Sequence, residues 1–474
     1  MKVRQGVQGA AFGAVFRLVS KAFVRVAPAA MAGVMGCGPA PEVKAPAPVP
    51  VPLTSSPIEP TDAPARSDAE AAFEGMLQRV AARRGLPVRG EVKLRTLDRA
   101  KIGEMIRAKA ARELPPEVLK HETEALIALG LVPPSYDAVA GMFSLIDTSI
   151  SGFYEPEDKT MYLASDLSPP ERDETLAHEL VHALQDQHYD LGPLFKHAAD
   201  NEERVAAGHA LAEGDATSAM FDIAVGDAMQ IDEKKFAATA RGSIANLAPD
   251  VPAVLRDALI TPYTDGFAFV QGLRRRGGFA QVDAAWRALP TTTEQLLHLD
   301  KYDAKETAIE IAPVPLAALA RDVRPSSPGD AGSHEKGSFS QVYSQVLGEQ
   351  GLRTVLAAWT DAAEAESAAA GWGGDRYVLA KGEGAAAGEV ALGWLLRFDT
   401  EADAKEMEAV LSAQAHGDCV LRPDVGPFAW ARRKRDVAVA LGPYSKGAGR
   451  VKATGTCKEA KVWLASMLAP AKKS

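Results

Sequence analysis

The sequence predicts an α+β protein. Three observations carry this: helical spacing of apolar residues through most of residues 69–310, one aromatic hairpin pattern inside that stretch at 152–163, and strands alternating with helices near the end. The first region is expected to be mostly helical with a small sheet, and the last an α+β domain of ββαββα order. With 474 residues, 47% of them hydrophobic, the chain is long enough for several domains and too apolar for wholesale disorder. Its 53 Lys and Arg against 62 Asp and Glu leave a net charge of −9, which argues against a nucleic-acid partner, whose binding needs basic surface. Composition divides the chain into 1–36, 37–67, 68–322, 323–340 and 341–474.

Residues 1–36 carry Lys2, Arg4, Arg17, Lys21 and Arg25 with no acidic residue, then an apolar run from Val26 to Gly36. A basic start, a short apolar segment and small residues at its end are marks of an export signal. Its last residues, Val34-Met35-Gly36-Cys37, resemble the lipobox of bacterial lipoproteins. The resemblance implies that Cys37 becomes a lipidated amino terminus and that a membrane is one partner. Gly38 stands where many inner-membrane lipoproteins have aspartate, which points to the outer membrane, facing periplasm or surface. Residues 38–66 hold nine prolines. Proline fixes φ and donates no hydrogen bond, so this segment reads as an extended spacer between anchor and folded protein.

Ala69–Arg84 reads as an amphipathic helix with Phe73, Leu77 and Val80 on one face, ended by Gly85-Leu86-Pro87. Further helices are expected around 102–111 and 117–129. At 152–163 aromatic and β-branched residues flank a Pro156-Glu157-Asp158-Lys159 turn, the pattern of a β-hairpin. Helices follow at about 170–187 and 201–225, then a helical region from 232 to about 310. Proline and glycine make 323–337 a linker or mobile loop. Beyond it, 376–379, 390–398, 428–433 and 436–441 read as strands, and 401–414 and 457–468 as helices.

The chemistry lies in Thr175-Leu176-Ala177-His178-Glu179-Leu180-Val181-His182-Ala183-Leu184, an H-E-x-x-H motif in an uncharged, helix-forming context. Residues four apart on an α-helix lie about 40° apart around its axis. His178 and His182 can therefore present two imidazoles to one Zn²⁺, while Glu179 reaches a water beside it without becoming a ligand. Leu176, Leu180, Val181 and Leu184 give the helix a face to bury. The motif and its flanks resemble the zincin metallopeptidases, which implies a peptide or protein substrate.

A catalytic zinc needs a third protein ligand and an open position. Glu213, in Ala210-Leu211-Ala212-Glu213-Gly214-Asp215-Ala216-Thr217, sits in a segment similar to the Glu-Gly-x-Ala segment of gluzincins. His188 has the spacing of the metzincin third histidine, although Gln185 replaces the glycine that turns the metzincin chain back. Glu213 is the favoured candidate and His188 the alternative. Asp215 could support a zinc histidine, but gluzincins usually place that acid where Thr217 stands. For the donor that zincins set against the developing oxyanion, Tyr263, His298 and Tyr302 are candidates. By the same resemblance Thr160–Leu163 is a candidate for the edge strand that pairs with substrate backbone.

The remaining cysteines, Cys419 and Cys457, stand after one expected helix and at the start of another, where a disulfide could pin the two helix ends in an oxidising compartment. The expectation is a lipid-anchored zinc metallopeptidase of the cell envelope. The alternative is a zincin-fold lipoprotein that binds partners or serves envelope assembly without turnover; the presence of Glu179 speaks against it.

Overall fold

A computed structural model describes residues 22–24, 68–113, 115–194, 202–323, 335–447 and 450–470. The remainder of the leader, the spacer and the lipidation candidate Cys37 lie outside the described residues. The elements run β1 (Ala22–Val24), α1 (Asp68–Arg84), β2 (Lys93–Leu97), α2 (Arg99–Glu113), α3 (Pro116–Leu129), α4 (Ala138–Ser149), β3 (Ile150–Glu155) and β4 (Thr160–Ala164). Then come α5 (Pro169–Tyr189), α6 (Leu191–Leu194), α7 (Glu202–Ala224), α8 (Glu233–Leu247), α9 (Ala253–Gly277), α10 (Phe279–Arg287), α11 (Thr293–Leu297) and α12 (Leu299–Ala304). The second half adds β5 (Arg321–Val323), β6 (Glu335–Gln345), α13 (Gly348–Ala357), α14 (Ala362–Ala369), β7 (Trp372–Gly384), β8 (Glu389–Phe398) and α15 (Glu401–Ala415). It closes with β9 (Cys419–Arg422), β10 (Gly426–Arg433), β11 (Asp436–Gly447), β12 (Arg450–Ala453) and α16 (Cys457–Met467). The protein is α+β. No helix among the described residues is long and apolar enough to cross a membrane.

The small sheet has the order β1-β3-β4-β2. β3 and β4 form the expected hairpin, with Phe153 opposite Tyr162, and β2 runs parallel to β4. α5 packs against β3, β4, α1 and α7, so every residue from Thr175 to Asp186 is buried. Its start is set by Ser168, whose N–H donates to the Glu171 carboxylate at 2.9 Å, and by Pro169 and Pro170 in the first turn. It stops where Asp190 turns left-handed.

The carboxy-terminal sheet has eight strands in the order β5-β6-β7-β8-β11-β10-β9, with β12 on β11, rather than the four strands read from sequence. Alternation along β7 sorts its two faces: Tyr377 and Leu379 join the main core, while Val378 and Ala380 face the opposite side with Trp463 and Leu464 of α16. Gly393 leaves room for Trp463, whose ring a β-carbon there would strike at 2.6 Å. α16 is tied to β9 by the disulfide between Cys419 and Cys457.

The two regions are not spatially separate. A single apolar cluster runs from Val80 and Leu180 through Ala125 of α3 to Tyr343, Trp394 and Phe428 of the large sheet. Residues 309–315 already bond to the carboxy-terminal sheet and its last helix. Ile309 N–H donates to Gly373 O at 2.7 Å, Arg376 Nε to Ile311 O at 3.0 Å and Trp463 Nε1 to Pro315 O at 2.7 Å. The expected linker 323–340 is partly strand: β5 and β6 pair antiparallel, with Val323 opposite Glu335.

Candidate metal centre

Three elements converge on one point. α5 carries His178, Glu179 and His182; α7 carries Glu213; α9 carries Tyr263. The close crossing of α7 and α9 depends on two glycines. A β-carbon on Gly214 would lie 2.0 Å from Gly266 O, and one on Gly266 would lie 1.9 Å from Ala210 O. Any larger residue at either position would push apart the helices that bring Glu213 and Tyr263 together.

His178 Nε2 and His182 Nε2 are 3.1 Å apart. Glu213 Oε2 lies 3.1 Å from the first and 3.4 Å from the second. Donors 2.0–2.1 Å from a tetrahedral zinc are about 3.3 Å from one another, so this triangle has the size such an ion requires. The donor chemistry also fits: two imidazoles and a carboxylate, all buried. His209 Nε2 meets the other oxygen of Glu213 at 3.1 Å and fixes the carboxylate plane. Tyr263 packs over His178 with ring centroids 5.9 Å apart, and its hydroxyl hydrogen-bonds Glu213.

Burial drives His178 down to about 4, against the hydrogen bond that Glu213 accepts from it. Burial acts the same way on His182, but the charge and hydrogen bond of Glu213 outweigh it and raise that imidazole to about 9. For Glu213 burial favours the acid, yet His182 and the hydrogen bonds from three histidines hold it well below the usual carboxylate range. Burial, then the nearby Glu213 and Glu179 charges, push the Tyr263 hydroxyl well above its ordinary value, so it stays a donor. Glu179 accepts the Tyr154 N–H at 2.8 Å, which places it against β3.

The other sequence candidates lie elsewhere. His188 bonds Pro87 O at 2.8 Å, because α5 continues straight through Gln185 and carries it away from the cluster. His298 pairs with Glu349 of α13 at 2.8 Å, a contact that docks the large sheet's helices onto the site region. Tyr302 donates to Ala288 O at 2.8 Å and packs edge-on against Phe269. Of the three proposed oxyanion donors, only Tyr263 reaches the centre. Thr160–Leu163 is also displaced from its expected role: β4 is an interior strand, and β3 is the one that borders Glu179.

Sequence reasoning missed the three polar residues that follow the motif. Gln185 bonds His182, Asp186 accepts from the Tyr154 hydroxyl at 2.8 Å and from Lys159 at 2.6 Å, and Gln187 accepts from Arg89 N–H at 2.7 Å. For Gln185 and Asp186 the signal is burial: polar residues on a buried helix face must each have a partner. A second acidic group, Glu294, Glu306 and Asp399, surrounds the Lys301 ammonium at 2.5, 3.6 and 2.5 Å, so a cationic side chain already sits among these carboxylates.

Residues 338–452 match a family described as a domain of unknown function, DUF8575. That stretch covers most of the large sheet and none of the histidine cluster. No curated protein matches the chain, and no solved structure does.

Proposed function

We propose that the chain is a zinc-dependent peptidase of the gluzincin type, exported and lipid-anchored in the bacterial envelope through Cys37. The observation that carries the catalytic part is the 3.1, 3.1 and 3.4 Å triangle of His178, His182 and Glu213 donors. His178, His182 and Glu213 would hold the metal. A bound zinc supplies Lewis-acid activation of water and of a scissile carbonyl. Glu179 takes the proton of the attacking water and later delivers it to the leaving amine. Tyr263 donates a hydrogen bond to the carbonyl oxygen as charge develops there.

β3 offers a backbone edge beside Glu179 for an extended peptide. In the full chain β1 lies antiparallel on that edge, with Ala22 opposite Phe153. Processing before Cys37 would remove β1 and open the edge to substrate. The lipid anchor itself rests on Val34-Met35-Gly36-Cys37 and the proline spacer.

The test is metal analysis with a peptide-library assay on protein starting at Cys37. One zinc per chain is expected, with chelator removing metal and activity together. Glu179→Gln should keep the zinc and lose hydrolysis by about 10²–10⁴-fold. A fully zinc-loaded wild type that cleaves neither peptides nor folded envelope proteins would favour the partner-binding lipoprotein instead.

A further inference from the structure

His182 is held by a side chain of unusual type for a metal-ligand partner, a neutral amide. Its Nδ1 lies 2.8 Å from Gln185 Oε1. The orientation of that amide is not free. Gln185 Nε2 donates to Ala212 O at 3.1 Å and to Asp215 Oδ2 at 3.1 Å, and both of those atoms only accept. The amide nitrogen must therefore face α7, and the amide oxygen must face His182. An oxygen there requires a proton on Nδ1, which leaves Nε2, facing His178 and Glu213, as the nitrogen that can give up its proton and offer a lone pair to a metal.

Asp215 is fixed in turn. Arg84 Nε donates to its Oδ1 at 2.5 Å and Trp286 Nε1 to its Oδ2 at 2.9 Å. Arg84 is fully buried and also reaches Asp283 at 2.8 Å. The chain of contacts crosses α1, α7, α5 and α10 before it arrives at the imidazole.

We infer that Gln185 is a positioning residue that selects the Nε2-donating tautomer of His182, with Asp215 and Arg84 locking the amide in the orientation that does so. The inference rests on the metal centre proposed above. It also gives Asp215 a role two residues from Glu213, on a different side of α7: it acts on the second histidine through Gln185 rather than by touching it. Partners of this kind typically change metal affinity by about 10–100-fold when removed.

The experiment is zinc titration of the full chain against a competing chelator, with the ring nitrogens of ¹⁵N-histidine-labelled, zinc-loaded protein observed by NMR. In wild type, His182 should show a protonated Nδ1 and a metal-bound Nε2. Gln185→Met keeps the volume and removes the acceptor; its zinc dissociation constant should rise about 10–100-fold. Gln185→Glu restores an acceptor for the Nδ1 proton and should recover most of that loss, measured against wild type at the same pH. A merely structural glutamine would lower melting temperature without changing zinc affinity of the folded protein. Unchanged affinity in Gln185→Met, or coordination of His182 through Nδ1 in wild type, overturns the inference while leaving the metal centre standing. Wild type that binds no zinc overturns both. The NMR result on wild type stands even where the variants fail to fold.

Discussion

Two buried carboxylates, one in each half of the molecule, have opposite surroundings. Asp375 of β7 accepts from Leu347 N–H and Gly348 N–H at 3.1 Å and from the indoles of Trp372 and Trp394 at 3.0 and 2.9 Å. Glu213 of α7 faces three imidazole nitrogens at 3.1–3.4 Å. The donors around Asp375 carry permanent hydrogens. Burial raises its pKa, and the backbone and indole hydrogen bonds oppose that rise. The imidazoles around Glu213 can carry a proton or offer a lone pair, so what binds the carboxylate depends on pH and on cations. A carboxylate ringed by fixed donors is a structural joint; one ringed by imidazoles can exchange their protons for a cation.

The sharpest way to break that contrast is to neutralise each acid in turn. Glu213→Gln should abolish tight zinc binding while leaving a folded chain, because its neighbours can share protons among themselves. Asp375→Ala should leave zinc affinity within about twofold, yet cost about 3 kcal/mol or more, since four buried donors lose their acceptor. Urea unfolding together with zinc titration reads both. Loss of zinc in Asp375→Ala would show that the large sheet sets the site's geometry.

Reducing the Cys419–Cys457 disulfide is the next largest effect. The bond closes a loop of 38 residues' separation, and chain-entropy arguments give about 3–4 kcal/mol. Stability should fall with reductant while zinc affinity holds, because α16 packs on the face of the sheet opposite the cluster that holds Leu180, and β9 is the terminal strand of that sheet. A parallel loss of zinc would contradict that separation.

A smaller and pH-dependent effect comes from His182. Its folded pKa is raised to about 9. In metal-free protein the stability it contributes is therefore complete below its unfolded value of about 6.5 and is lost as pH rises through about 9. Zinc binding in that window must expel the proton, so apparent affinity should rise with pH up to about 9, by up to tenfold per unit. Calorimetry in buffers of different ionisation enthalpy counts the proton; no proton release at pH 7.5 would place it elsewhere. Smallest of all, His188→Ala should leave zinc affinity unchanged, and a measurable loss there would reopen the metzincin arrangement.

Much of the centre was legible from residue spacing. His178 and His182 stand one turn apart on a helix whose flanks are apolar, so both the helix and their convergence follow from local geometry. Glu213 is a candidate through the resemblance of its segment to gluzincins, and the structure places it beside both histidines; the helix that continues through Gln185 carries His188 away. The fold class and the hairpin were equally local. β6 was not: no strand is expected between the hairpin and 376, its residues Ser338, Ser340, Gln341 and Ser344 give it no sustained apolar alternation, and only hydrogen bonding between β5 and β7 makes the segment a strand. Strand propensity is weak information where pairing supplies the stability.

Periodicity and spacing alone encode the α+β class, the buried helix α5 and the convergence of its two histidines, with Glu179 beside the first. The tertiary structure decided everything that depends on residues far apart in the chain. It chose Tyr263 over His298 and Tyr302, joined Gln185 to Asp215 and Arg84, and fused the two halves through one core. The reason is physical. A helix places residues three or four apart with fixed geometry, whereas contacts 30 to 130 residues apart depend on how helices cross, and at this site that crossing is set by two glycines.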